Sequence, residues 1–257
     1  MSLSTETRGQ GRELVMLHGW GMNSAVWSDF ADRLAVDYRV TLIDLPGHGN
    51  SPFDGEQGLV TWARACLEVA PEQAVWLGWS LGSMVALQAA LMERALINGI
   101  LIVAGMPRFV QAEAWPDAMP PQTLDLFSQA LVDDHKKTLE RFLVLQMIGS
   151  DQAVEILRRV KSRLHERPDP IPDALEAGLA LLKTCDLREQ LPTLSCPTRW
   201  LYGDRDTLAP SAASAVLQQW LPEATTHIVR GAAHTPFLSH PEESHQWVKR
   251  SLESIHG

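Results

Sequence analysis

Four short stretches carry residue types that could do covalent chemistry together. In "WLGWSLGS", residues 76–83, Ser80 stands between Gly78 and Gly82. Where a strand ends and a helix begins, this Gly-x-Ser-x-Gly spacing makes a turn sharp enough to lift the serine hydroxyl above the sheet edge. It also places that hydroxyl near the positive end of the following helix. A hydroxyl is a poor nucleophile near neutral pH, so it needs a base, and the base needs an orienting acid. Of nine histidines, His234 in "GAAHTPFLSHP" falls between the last strand-like run and the last helical one. The stretch "LYGDRDTLAP" offers Asp204 and Asp206. Asp206 fits a Gly-x-x-Asp-x-x-x-Pro spacing with Gly203 and Pro210, whereas Asp204 reads as a turn former bonded to its own backbone. The resulting chain order is Ser80, Asp206, His234. A tetrahedral intermediate also needs backbone donors. "HGWG", His18 to Gly21, follows the first clear strand and makes the Trp20 and Leu81 N–H groups the expected oxyanion donors.

The elements that must hold these residues are legible as apolar runs. Glu13–Gly19, Tyr38–Asp44, Ala74–Trp79, Ile97–Gly105, Thr198–Asp204 and "THIVRG" read as strands. Ala25–Val36, Leu59–Ala70, Leu81–Glu93, "PSAASAVLQQWL" and "PEESHQWVKRSLESI" have helical spacing. Near-continuous apolar strands alternating with helices indicate an α/β fold with a mostly parallel central sheet flanked by helices on both faces. From about Met106 to Leu187 the alternation stops and only helical periodicity remains, broken by "PDAMPP" and "RPDPIPD". The expected organisation is therefore a core of residues 1–105 and 188–257 carrying an inserted helical cap, residues 106–187.

Bulk properties narrow the class. A chain of 257 residues can bury a large core without disulfides or metals. The net charge of −9 argues against non-specific binding to nucleic acid or anionic membranes. The three cysteines, Cys66, Cys185 and Cys196, form no Cys-x-x-Cys pair and suit free thiols in a reducing compartment. The polar start "MSLSTETRGQGRE" has no apolar signal core, and no apolar run is long enough to span a bilayer. A cytoplasmic monomer is the expectation. The histidines lack metal-ligand spacing, and neither a phosphate loop nor a dinucleotide fingerprint occurs, so no metal and no cofactor are expected.

Taken together, these residues resemble the α/β-hydrolase superfamily over almost the whole chain. "LHGWGMNSAVW", "DLPGHGNS", "WLGWSLGS", "EAWPD", "ERFLVLQ", "LLKTCDLR", "LYGDRDTLAP" and "AAHTPFLSHP" are similar, in order, to the pimeloyl-acyl-carrier protein methyl ester esterase family of biotin synthesis. The triad motifs are generic to the superfamily. The pair Trp20/Trp79 and the cap strings are more specific. The resemblance implies hydrolysis of the methyl ester of pimeloyl-acyl-carrier protein, with Ser80 as nucleophile, His234 as base and Asp206 as its orienter. It implies substrate contacts at Trp20, Leu81 and the cap run Phe142, Leu143, Val144, Leu145 and Gln146. The basic cap residues that hold the acidic carrier protein in the family map onto Lys137, Arg141 and Arg158. Two positions depart from the family: Ser83, where glycine is frequent, and Val154, where a fourth cation is expected.

The cap charge can also be counted directly. Between Lys136 and Arg167 eight basic residues face four acidic ones, Glu140, Asp151, Glu155 and Glu166, on an otherwise acidic chain. Such a basic island suits an acidic partner. At about 100° per residue, Leu139, Phe142, Leu143 and Gln146 share one helix face, with Lys137 and Arg141 opposite. The triad does not fix a substrate. A broad small-ester carboxylesterase, a carbon–carbon bond hydrolase or a perhydrolase on the same fold remain alternatives, as does a non-catalytic binding module.

Overall fold

A computed structural model of the chain describes residues 2–150 and 153–256. Asp151, one of the acidic cap residues counted above, lies outside them. Seven strands form one sheet: β1 (Thr5–Arg8), β2 (Arg12–Leu17), β3 (Tyr38–Ile43), β4 (Ala74–Trp79), β5 (Ile97–Val103), β6 (Thr198–Gly203) and β7 (Thr225–Val229). Their order is β1-β3-β2-β4-β5-β6-β7, with β1 antiparallel to β3 and every other pairing parallel. After β2 the chain moves to β3 on one side, then crosses back to β4 on the other. The carboxyl ends of β2 and β4 therefore flank the point where the winding reverses, the crevice in which open α/β sheets place their ligands.

The core follows from strand alternation. Val15, Leu17, Trp76, Ile100 and Ile102 pack on one face of the sheet, and Leu14, Met16, Val75, Leu77, Leu101 and Val103 on the other. With both faces covered, the central strands are apolar throughout. The first face meets α2 (Leu59–Val69) and α3 (Leu81–Met92). The second meets α1 (Ser28–Leu34) and, at the far end of the chain, α9 (Pro236–Ser239) and α10 (Pro241–His256). In α3 the run Leu81–Ala90 is buried on every side, as expected of a helix that is apolar all round.

Between β5 and β6 the described residues form four α-helices, α4 (Pro121–Asp133), α5 (His135–Met147), α6 (Ala153–Leu164) and α7 (Pro172–Thr184), followed by a 3-10 turn at Arg188–Thr193. Their ends carry local signals. Asp134 caps α5 by accepting the Lys137 N–H at 3.0 Å, and proline opens α4 and α7, where its missing N–H costs nothing. The segment is not helical throughout. Residues 106–120 form a loop pinned by bridges between Val110 and Met119 and between Ala112 and Trp115. Three further differences from the sequence reading appear. β1 lies in the polar start of the chain, the helix over Ala25–Val36 begins as a 3-10 turn at Ser24–Trp27, and α8 is only Ala213–Leu217. Among the described residues no helix is long and apolar enough to cross a membrane.

The junction of β4 and α3 is crowded against backbone. A Cβ on Gly82 would come within 2.6 Å of the carbonyl oxygens of Leu17 and His18, and one on Gly78 within 2.5 Å of the Ser83 Cα. Backbone in a sheet cannot give way as a side chain can. Gly82→Ala is therefore expected to cost about 1–3 kcal/mol and to lower the thermal midpoint by several degrees in calorimetry. An unchanged midpoint would show that the turn has slack.

Candidate active site

The turn after β4 puts Ser80 at φ 53°, ψ −119°, a left-handed conformation that non-glycine residues avoid. Asp206 follows β6 and His234 follows β7, so the ends of β4, β6 and β7, with only β5 between the first two, deliver the three side chains along one edge of the sheet. Ser80 Oγ lies 2.9 Å from His234 Nε2, and His234 Nδ1 lies 2.8 Å from Asp206 Oδ2. The other Asp206 oxygen accepts the N–H groups of Leu208 and Ala209 at 2.8 and 3.0 Å. Asp206 can only accept from the imidazole, so the proton on His234 sits at Nδ1 and Nε2 is free to accept from the serine hydroxyl. All three side chains are buried, Ser80 being 3 % exposed. Asp204 instead accepts the Gly231 N–H at 2.7 Å and ties two loops together.

The backbone around these residues is held from several directions. The Ser80 carbonyl accepts both the N–H and the hydroxyl of Ser83, at 2.9 and 2.5 Å. The Trp79 indole N–H donates to the His234 carbonyl at 2.9 Å, and the His234 N–H donates to the Gln146 carbonyl at the end of α5, 3.2 Å away. Thr235 Oγ1 donates to Met147 Sδ at 3.2 Å. Thus α5 touches the histidine loop directly, a contact no sequence signal announced.

The turn after β2 lies against the serine, since a Cβ on Gly19 would be 3.3 Å from the Ser80 Cβ. Trp20 is fully buried; its indole N–H donates to the Leu175 carbonyl of α7 at 2.8 Å, and its ring meets Phe142 of α5 edge-on at 4.8 Å. Leu81 opens α3, so its N–H lacks an intrahelical partner. The run Phe142–Gln146 does not act as one surface. Phe142, Leu143 and Gln146 are buried and Leu145 is half-buried, but Val144 is exposed. Five successive helical residues turn through more than a full circle, so Val144 must face away from the others. The Gln146 side-chain nitrogen is buried without a hydrogen-bond partner.

Of the eight cap cations, Lys136, Arg159, Lys161, Arg163 and Arg167 make ion pairs. Lys137, Arg141 and Arg158 are exposed and make none among the described residues. A cavity of about 250 Å³ opens beside the turn after β2, between Met22, Asn23, Leu139, Leu143, Lys161 and Leu164. None of Ser80, Asp206 or His234 lines it.

Beneath the same turn lies a buried polar network of His18, His48, Asp44 and Arg167. His18 Nε2 accepts the Leu45 N–H at 3.0 Å and His48 Nε2 accepts the Gly21 N–H at 3.3 Å. Asp44, fully buried, accepts the Ser24 N–H at 2.7 Å and the Arg167 guanidinium at 2.8 Å. Burial lowers the pKa of both histidines. His48 falls from 6.5 to about 3 through burial and then the neighbouring His18.

Comparison with known proteins places this geometry. The profile of the Alpha/beta hydrolase family matches residues 14–246. The pimeloyl-acyl-carrier protein methyl ester esterase of Aeromonas hydrophila is 44% identical over 245 residues, covering 95% of this chain and 96% of its own. That of Methylococcus capsulatus is 41% identical over 254 residues, covering 99% and 100%. Among solved structures, an esterase from Exiguobacterium antarcticum superposes with a TM-score of 0.88 at 20% identity, covering 99% of this chain and 96% of its own. A bromoperoxidase from Bacillus anthracis gives 0.87 at 18% identity, covering 98% and 95%. At such low identity these two structures speak for the fold alone.

The buried histidines give a pH dependence of stability. Unfolded, His48 takes up a proton below its ordinary value of 6.5; folded, it stays neutral to about 3. The unfolded chain thus binds more protons in that window, and stability present above pH 6.5 is lost as pH falls toward 3, at up to about 1.4 kcal/mol per pH unit. Thermal midpoints between pH 7 and 4 are expected to fall more steeply for the wild type than for His48→Gln. Parallel curves would count against the assignment.

Proposed function

We propose a reaction from one premise: this chain belongs to the alpha/beta hydrolase family and, within it, to the pimeloyl-acyl-carrier protein methyl ester esterases. It is a serine carboxylesterase that hydrolyses the methyl ester of pimeloyl-acyl-carrier protein to pimeloyl-acyl-carrier protein and methanol, in biotin synthesis. The observation that carries this is identity of 44% spread over 95% of the chain. The triad alone does not choose a substrate, whereas similarity over that length includes the segment that covers the site.

The geometry supports a two-step acyl transfer. Ser80 Oγ attacks the ester carbonyl carbon as His234 Nε2, 2.9 Å away, takes its proton. Asp206, 2.8 Å from Nδ1, holds the ring and stabilises the imidazolium. The carbonyl oxygen becomes an oxyanion facing the N–H groups of Trp20 and Leu81. Collapse expels methoxide, which leaves as methanol with the proton from His234. Water then gives up a proton to His234 and attacks the Ser80 ester, releasing the pimeloyl carboxylate and restoring the serine hydroxyl.

We assign residues 106–187 as the cap and 1–105 with 188–257 as the core. Trp20, Leu81, Phe142, Leu143 and Gln146 are the substrate contacts in this reading, with Leu145 at the margin and Val144 outside. The acyl-carrier protein docks on Lys137, Arg141 and Arg158. Their freedom from ion pairs among the described residues supports this, because an acidic partner then need not displace an internal carboxylate. We further assign the chain as a cytoplasmic monomer that binds neither nucleic acid nor membrane.

The test is hydrolysis of carrier-linked pimeloyl methyl ester. Ser80→Ala should lower kcat by roughly 10³-fold or more while leaving the thermal midpoint near that of the wild type. Turnover at the wild-type rate in that variant would sink the mechanism. Faster turnover of short p-nitrophenyl esters than of the carrier-linked ester would favour a broad esterase instead. Lys137→Glu combined with Arg141→Glu should raise KM for the carrier-linked ester on the order of tenfold, with KM for a small free ester little changed. Equal effects on both substrates would point to a disturbed cap.

A further inference from the structure

The mechanism above uses the Trp20 N–H as an oxyanion donor, yet the turn that presents it is rich in glycine and has few backbone restraints of its own. Gly19 precedes Trp20 and Gly21 follows it. A peptide beside glycine rotates easily, so something outside the turn must hold it. The Met22 N–H bonds the Gly19 carbonyl, at 3.3 Å. A shorter bond comes from a side chain that the reaction does not consume.

His18 Nδ1 lies 2.8 Å from the Gly19 carbonyl oxygen. Its Nε2 accepts the Leu45 N–H at 3.0 Å, so the single ring proton of the neutral imidazole is at Nδ1 and is donated to that carbonyl. The Gly19 carbonyl and the Trp20 N–H belong to one peptide unit. The described chain has no cis peptide bond, so the two groups point in opposite directions from a rigid plane. Fixing the carbonyl therefore aims the N–H.

His48 completes the hold from the opposite loop. Its Nδ1 donates to the Pro46 carbonyl at 2.9 Å, and its Nε2 accepts the Gly21 N–H at 3.3 Å. The two histidines thus cross. His18, after β2, grips the loop after β3, and His48, after β3, grips the turn after β2. Their rings lie 5.3 Å apart and both are fully buried.

We propose that His18 is a positioning residue for the reaction: its Nδ1–H fixes the Gly19–Trp20 peptide so that the Trp20 N–H faces the oxyanion, with His48 bracing the same turn at Gly21. This rests on the serine-ester reading above. The alternative is that the pair only knits two loops together, and the two bonds of His18 allow these roles to be separated.

Two variants each keep one bond. His18→Asn places its amide nitrogen where Nδ1 stood and keeps a donor for Gly19, but loses the acceptor for Leu45. His18→Gln reaches the Nε2 position and keeps the Leu45 partner, but loses the donor to Gly19. Both are assayed on a p-nitrophenyl ester and for inhibition by an alkyl trifluoromethyl ketone, whose serine hemiketal carries an oxyanion. His18→Gln should lose about 10- to 100-fold in kcat, with KM within about twofold. Its inhibition constant for the ketone should rise by the same factor as kcat falls. His18→Asn should stay within a few-fold of wild type in both. Equal kcat in the two variants, or a more active Gln variant, overturns the assignment, as does a loss confined to KM with unchanged ketone affinity. An inactive wild type would overturn the ester reading and this assignment together, whereas an active wild type with equivalent variants overturns this one alone. The tautomer provides a check independent of any variant. Nitrogen-15 spectra of the wild type should show His18 protonated at Nδ1, and protonation at Nε2 would overturn the assignment.

Discussion

The backbone at Ser80 is the constraint on which the rest of the structure depends. A non-glycine residue at φ 53°, ψ −119° stores about 1–3 kcal/mol, and it persists only if its surroundings forbid relaxation. They do so on every side. β4 is paired with β2 and β5, so the strand entering the turn cannot shift. The buried helix α3 fixes the exit. Gly82 lies against the carbonyls of Leu17 and His18, which also brings the turn after β2 beside the serine. The same close packing that strains Ser80 therefore delivers a candidate oxyanion donor next to it.

A second constraint is that α5 is packed against the same loops. Phe142 of α5 packs on the Trp20 ring, and the last turn of α5 accepts the His234 N–H. The helix that presents Lys137 and Arg141 outward thus touches both the turn after β2 and the His234 loop inward. In the proposed reading, a carrier protein seated on those cations leans on the element that positions His234. Interfaces of this packed kind shift between discrete arrangements rather than bending continuously. Recognition of the carrier and alignment of the base are then two faces of one helix.

Much of this was legible in the chain because its signals are local. Strand runs ending in glycine turns marked β2, β4 and β6. Trp20, Ser80 and Asp206 lie at those ends and His234 after β7, because parallel sheets gather their carboxyl ends along one edge. What escaped the sequence is set by contacts between distant residues. β1 is a short polar edge strand, TETR, recognisable only by its pairing with β3. His18 and His48 carry no spacing that distinguishes them from loop histidines, since each finds its partner 27 residues away. The exposure of Val144 did follow from helical periodicity, but a continuous family string masked it.

The two departures from the family pattern show how local change is absorbed in one place and exposed in another. Ser83, where the family resemblance leads to an expectation of glycine, is fully buried, and its hydroxyl donates to the Ser80 carbonyl. A Cβ on Gly105 would lie 2.5 Å from the Ser83 Cβ, so the extra side chain fits because the loop after β5 has none at that point. The added bond stiffens the strained turn instead of disturbing it, which is agreement between levels of the kind that specifies one structure. Val154 has no such compensation to make. It is 84% exposed, so nothing inside the protein determines its identity. In the proposed reading, docking of an acidic partner then rests on the i, i+4 pair Lys137 and Arg141 of α5, with Arg158 of α6 as the third cap cation that makes no ion pair among the described residues.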